Sequence, residues 1–444
     1  MNNSYEYIII GAGISGLYSA YLLNKIFGIS NILIIEKSDR VGGRICTIFD
    51  RETPIELGAS RISYHHNNMI NLVNNLGLSS KLVKTPNIDK HYYEEENGII
   101  TKTLMDKESN FRKIIAEVIN LVNTNDENVK KMAENYSLYF FIEHFYDTKT
   151  AEMVKDQFGY SGDILYQSTM KAIEMFETEF KEGGGFYKLD GGLIQIINKL
   201  VENITNVGIK IMTDNELVDI SESESNSSKF KCKILNKTTA QFNYIDVNKI
   251  IFALTHNDLT KIPFLYTSNI FSKLHSSVMN KPLMRVYGVF ELNKSNNGGN
   301  WYDDIGNIVT NSLIRQIKPT DPEVGIIMIS YSDTINAEVI NNLAVNNSEL
   351  CKKEIFFHLH KLFPNKIIPD PLRLYYHFCE SGTHIWKPSY NSDEVSKEIM
   401  TPFDNKHIYI VGEVYSPLHN WMEGAIISVN KLMKHLYIQH KKIS

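Results

Sequence analysis

A glycine turn near the amino end limits the fold more than any other feature of the chain. Tyr7-Ile-Ile-Ile10 is a short apolar run of the kind found in strands buried on both faces. It leads straight into Gly11-Ala-Gly13-Ile14-Ser15-Gly16, after which Leu17 to Phe27 carries the apolar spacing of a helix. A second apolar run, Ile32-Leu-Ile-Ile35, ends at Glu36, 20 residues past Gly16. Strand, turn, helix and strand make a βαβ unit. In such a turn the first glycine permits the bend and the second lets backbone approach a pyrophosphate. The third lets helix and strand pack closely. The helix start presents its amides to phosphate, and an acid placed like Glu36 can bond a ribose hydroxyl. Gly11, Gly13, Ile14, Ser15, Gly16 and Glu36 are therefore expected to hold a dinucleotide.

A chain of 444 residues is expected to form two or three domains. Its 43% hydrophobic and 22% charged content excludes wholesale disorder, and a net charge of −5 calls for no nucleic-acid partner. No run approaches the roughly 18 apolar residues of a membrane helix, so no membrane partner is expected. The start has no basic region followed by a cleavage site. Cys46, Cys232, Cys351 and Cys379 lack the spacing of a metal site or a disulfide framework, so no metal is expected. Together these features predict a cytoplasmic protein, with room for a homodimer.

Residues 105–182 carry helical periodicity, as in Phe111 to Val122 and Met170 to Phe180. A polar cluster from Ser221 to Ser228 suggests an exposed hairpin tip. Strand-like runs return at Lys249–Leu254, Leu283–Leu292, Gly325–Tyr331 and His407–Val411, and Ala425–Tyr437 forms a closing helix. The first and last elements fit one nucleotide-binding domain, with a mixed helix-and-sheet domain inserted. The boundaries expected are 1–85, 183–260 and 376–444 for the first, 86–182 for a helical part of the second and 261–375 for its mixed sheet.

Past Glu36 comes Lys37-Ser-Asp-Arg40-Val-Gly42-Gly43-Arg44, a glycine pair flanked by arginines that suits a diphosphate. Here the sequence resembles the flavin-containing amine oxidase family, in which such a segment runs along FAD. The resemblance extends to Glu56-Leu-Gly58-Ala59-Ser60-Arg61, which in the family lies beside the isoalloxazine. Small residues there leave room for a flat ring system. Arg61 resembles the arginine with which L-amino acid oxidases hold a substrate carboxylate, a role suited to a planar, permanently charged fork. A structural ion pair is the other explanation for Arg61. Gly183 to Leu193, which contains Phe186, resembles the re-entry into the FAD domain. Val218, in Glu216-Leu-Val218, matches a strand whose backbone contacts adenine. Arg285 falls where the family usually has a lysine holding a water at the flavin. An arginine cannot act as a base, which leaves reoxidation by oxygen open.

Late in the chain, Val411-Gly412-Glu413 ends a strand, and His419-Asn420-Trp421-Met422-Glu423-Gly424-Ala425 opens a helix. The resemblance implies that Gly412, Glu413, Asn420, Met422 and Ala425 contact FAD. Trp421 and Trp386, the latter in Gly382-Thr383-His384-Ile-Trp386, would wall the substrate. Some relatives attach the flavin through cysteine in that segment; Thr383 implies a non-covalent FAD. The implied fold is α/β: a glutathione-reductase-like, Rossmann-type FAD domain with an inserted α+β substrate domain and helical subdomain. The implied activity is oxidative deamination of a small amine-bearing molecule, most like an L-amino acid, with molecular oxygen as acceptor. Arg61, Arg285, Trp386 and Trp421 would serve catalysis. A monoamine or polyamine oxidase, and an FAD-binding protein without oxidase turnover, remain the alternatives.

Overall fold

The computed structural model describes residues 4–86, 88–124, 126–179, 183–223, 229–293, 299–404 and 407–443. Residues 224–228 of the expected hairpin tip lie outside the described residues. The chain divides into two compact units. One comprises residues 1–85, 183–279 and 391–444, the other 86–182 and 280–390.

The first unit grows from the glycine turn. Strand β1 (Ser4–Ile10) buries its last four residues on both faces, and helix α1 (Ile14–Phe27) returns the chain to β2 (Ile32–Ile35). Gly28, left-handed at φ +68°, ends α1 and donates to Asn24. Five strands run parallel in the order Lys210–Met212, β2, β1, Gln241–Phe252 and Ile408–Ile410. This is the doubly wound arrangement, whose crevice opens at the carboxyl ends of the strands. The long strand Gln241–Phe252 forks the sheet. Its first half pairs antiparallel with Phe230–Asn236, which in turn pairs with Asn215–Glu222, while its end pairs with Ile408–Ile410. Helix α1 packs against Ile194–Asn206 and Met422–Ile443 over a core containing Ile9, Leu17, Ile197, Ile251 and Val429.

The second unit has a seven-stranded sheet in the order Arg373–Trp386, Val278–Val289, Ile326–Asp333, Gln316–Asp321, Asn307–Thr310, Lys90–Glu96 and Ile99–Leu104. Helices between Asn110 and Glu179 share an aromatic core of Phe111, Phe141, Phe158 and Phe176. The units part elsewhere than at the expected residues 260 and 376. Arg373–Trp386 pairs into the second sheet, so residues 376–390 stay with it. Residues 261–279 belong to the first unit, where Ser268 donates to the Pro402 carbonyl.

Candidate active site

Four hydrogen bonds close the carboxyl end of the parallel sheet: Gly11 N to Ile35 O at 2.7 Å, and Glu36 N to Met212 O, Ala253 N to Ile10 O and Val411 N to Phe252 O at 2.8 Å. The three glycines of the turn have separate reasons to be there. At Gly11 (φ +105°) a Cβ would lie 2.5 Å from the Ala253 carbonyl oxygen, and at Gly16 one would lie 1.9 Å from the Gly11 oxygen. Those two hold strand, helix and turn together. A Cβ on Gly13 would meet nothing within 4 Å, so the backbone there faces open space at a helix start with no side-chain cap. That is where a phosphate can be taken.

The second glycine pair lies against the first. Gly42 N donates to Ala12 O at 2.8 Å, and a Cβ on Gly43 would come 3.3 Å from the Gly13 Cα. Glu36, 9% exposed, ties the two loops. Its Oε2 accepts from Ala12 N at 2.8 Å, and its Oε1 accepts from Ser38 N and Oγ at 2.9 and 2.7 Å. A carboxylate offers about four acceptor positions, so one on Oε2 is left for a ribose hydroxyl. Ile14 and Ser15 are buried at the helix start.

Each of the basic residues flanking the glycine pair also has a partner within the chain. Lys37 pairs with Asp258 at 2.5 Å. Arg40 donates to the carbonyls of Val41, Gly43 and Ile45 and so braces its own loop. Arg44 pairs at 2.6 Å with Glu413, a carboxylate 4% exposed whose other oxygen accepts from Asn420 N at 2.9 Å. Asn420 adopts φ +68°, left-handed backbone that asparagine tolerates. Gly412, at φ +132°, lets the strand turn into Glu413. Val218 is exposed where the register skips from Leu217 to Asp219.

Two of these positions also have structural roles. Gly58 is small because of the chain itself: its Cβ would lie 1.9 Å from the Arg44 carbonyl oxygen, which accepts from Ala59 N at 2.9 Å. Ala59 and Ser60 are half-buried beside it. The side chains of Met422 and Ala425 face the hydrophobic core, so only their backbone is free for a cofactor. Glu423 accepts from Asn68 N and Nδ2 and from Met69 N at 2.7–3.1 Å, capping the helix Asn67–Asn75. Its place in the motif has a structural cause that sequence spacing does not reveal.

Arg61 lies against a column of rings. Its Cζ lies 4.0 Å from the Phe186 ring centroid and 5.7 Å from that of Trp421. Phe186 and Trp421 stack at 5.7 Å with 16° between planes, and His66 meets Trp421 edge-on at 4.8 Å. Among the described residues, none offers Arg61 a carboxylate within ion-pair distance. His66 accepts from Ser63 N at 3.2 Å through Nδ1. Burial, helped by His65, pulls its pKa from 6.5 down to about 4, which keeps it neutral. Sequence reasoning missed Phe186 and His66 as members of this column, because nothing local marks contacts spanning more than 100 residues.

In the second unit, Arg285 is 8% exposed, lies 4.4 Å over the Tyr331 ring and donates to Tyr331 Oη at 3.2 Å. Despite its burial, nearby tyrosine hydroxyls hold its pKa above the ordinary arginine value. Trp386 is 1% exposed and its carbonyl accepts from Ser168 N at 2.9 Å, so its indole offers no open face. Among the described residues no group of His, Cys, Asp or Glu is placed to hold a metal, and no helix is long and apolar enough to cross a membrane.

The family model for flavin containing amine oxidoreductases matches residues 14–428. The chain belongs to that family. Among its relatives, "Putative L-amino-acid oxidase YobN" of Bacillus subtilis (strain 168) is 25% identical over 214 residues, 42% of this chain and 43% of that protein. Flavin-containing amine oxidase A of Sus scrofa is 38% identical over 76 residues, 17% of this chain and 14% of that protein. The matched stretches thus span less than half the length of these curated relatives. A putrescine oxidase double mutant shares the fold, with a TM-score of 0.72, 16% identity and coverage of 98% of this chain and 99% of that one. FAD is the cofactor that family membership implies. The open backbone at Gly13, the remaining acceptor position on Glu36 and the skipped residue Val218 fit the diphosphate, ribose and adenine of such a group.

Proposed function

We propose that this oxidoreductase oxidises the amine of an L-amino acid to an imine, which water hydrolyses to an oxo acid and ammonia. The bound flavin supplies the two-electron acceptor, and molecular oxygen takes those electrons on as hydrogen peroxide. Gly13, Gly43, Glu36 and Val218 would hold the cofactor. Glu413, fixed by Arg44, would set the strand-to-helix turn around it. Thr383 supports a non-covalent link, and the four free cysteines suit a cytoplasmic setting. One observation carries the choice of substrate: Arg61 is a cation on an aromatic platform with no carboxylate partner among the described residues. A structural ion pair is the competing explanation, and among the described residues no carboxylate supports it. A guanidinium so placed can take a carboxylate in bidentate fashion, leaving the α-amine oriented by Trp421.

The similarity to amine oxidase A keeps simple amines in view. Arg285 supports a third possibility, FAD binding with little turnover, since it stays charged and cannot act as a base. A peroxide assay over a panel of L-amino acids and their decarboxylated amines separates the three. Peroxide from amino acids alone is expected; peroxide from amines alone, or from none, would overturn the proposal.

A further inference from the structure

Phe186 follows Arg61 by 125 residues, yet backbone pairing places them side by side. Ser63 pairs with Phe186 and Ile62 with Tyr187 in a short antiparallel ladder. The Phe186 carbonyl accepts from Thr85 N at 2.8 Å and Thr85 Oγ1 at 2.9 Å, while Tyr64 N donates to Gly185 O at 2.9 Å. The ring is therefore set by a braced backbone. Arg61 lies 4.0 Å from its centroid and 5.7 Å from that of Trp421, which itself stacks on Phe186. His66 ends the column as a neutral ring whose Nδ1 is already an acceptor, so it adds no second cation to compete for an anion.

Resting on the amino-acid proposal above, we infer that Phe186 is a positioning residue that sets carboxylate specificity. The side of the guanidinium that meets the ring is closed to ligands, and its remaining N–H donors are held ready for one planar anion. An unsupported arginine would have to give up rotamer freedom on binding; a stacked one has largely done so. Phe186 thus favours carboxylate ligands over neutral ligands of the same shape without touching the reacting atoms.

The test is calorimetric titration of the FAD-loaded protein with benzoate and with benzamide, which share a ring and differ in charge. The wild type should prefer benzoate. Phe186→Leu should weaken benzoate about five-fold, the scale of a partly exposed cation–π contact, and leave benzamide unchanged. Phe186→Tyr should restore the preference. Phe186→Met, which keeps bulk without a π face, gives the same readout if the leucine variant does not fold. Equal weakening of both ligands, or no change in either, would overturn the role of Phe186. A wild type without preference, or an Arg61→Ala variant that keeps it, would instead overturn the amino-acid proposal itself.

Discussion

The glycine loops and the Arg61 column stand in one unit but are built in opposite ways. Residues 11–16 and 42–43 work through backbone: their geometry follows from what a missing Cβ permits, at Gly11 and Gly16 by close approach and at Gly13 by open space. The column works through side chains brought from three separate segments: Arg61 with His66, Phe186, and Trp421. A backbone device leaves a local spelling in the sequence. A side-chain device leaves only ordinary residues far apart. The difference also predicts how each breaks.

The largest effect should come from the glycines, and it should split them. Gly16→Ala pushes a methyl into the Gly11 carbonyl, with no flexible side chain to give way. It should destabilise the fold by more than about 3 kcal/mol and lose FAD with it. In Gly13→Val the added Cβ meets no protein atom within 4 Å, and the extended backbone (φ −73°, ψ 179°) accepts a branched residue. That variant should lose FAD and melt like the flavin-free wild type. Flavin absorbance after gel filtration, beside calorimetric melting, reads both; full flavin occupancy in Gly13→Val would mean the cofactor is misplaced.

Next in size is Glu423, which joins the column's helix start to Asn67–Asn75. Glu423→Ala leaves the part-buried Asn68 amide and the buried Met69 amide without their acceptor and should cost about 2–3 kcal/mol. Urea denaturation measures it, and a cost under about 0.5 kcal/mol would reduce the cap to incidental contact.

A smaller effect follows acid. The folded His66 takes up its proton near pH 4, whereas the unfolded chain takes it up near 6.5. Its contribution is therefore full above about pH 6.5 and lost as pH falls toward 4, by at most about 3 kcal/mol at the end of that window and about 1 kcal/mol near pH 5.5. His66→Gln should flatten this part of the stability profile. An unchanged slope from pH 6.5 to 4 would place the acid sensitivity elsewhere.

What the sequence made legible follows the same division. The βαβ unit, the turn glycines and the strand ending at Gly412-Glu413 were readable because parallel strands are continuous apolar runs and left-handed turns need glycine. The reason for Gly58 was not, since the carbonyl it avoids belongs to Arg44. Nor were the partners of Lys37 and Arg44, Asp258 and Glu413, because ion pairs across 221 and 369 residues leave no periodic mark. Trp421 is readable from its motif, whereas Phe186 stands in a glycine-rich segment with no local mark of its partners. Its meaning came from the ladder that sets it beside Arg61.

The central claim is that Arg61 holds a substrate carboxylate, and one ratio tests it. kcat/KM is measured for an L-amino acid and for its decarboxylated amine, in wild type and in Arg61→Ala. Loss of a charge-assisted bidentate contact costs about 2–4 kcal/mol, so the amino acid should lose roughly 30- to 1000-fold while the amine changes little. Arg61→Lys should recover only part, lacking the planar fork. Equal losses for both substrates, with a lower melting temperature, would contradict the account and make Arg61 a structural residue of the aromatic column.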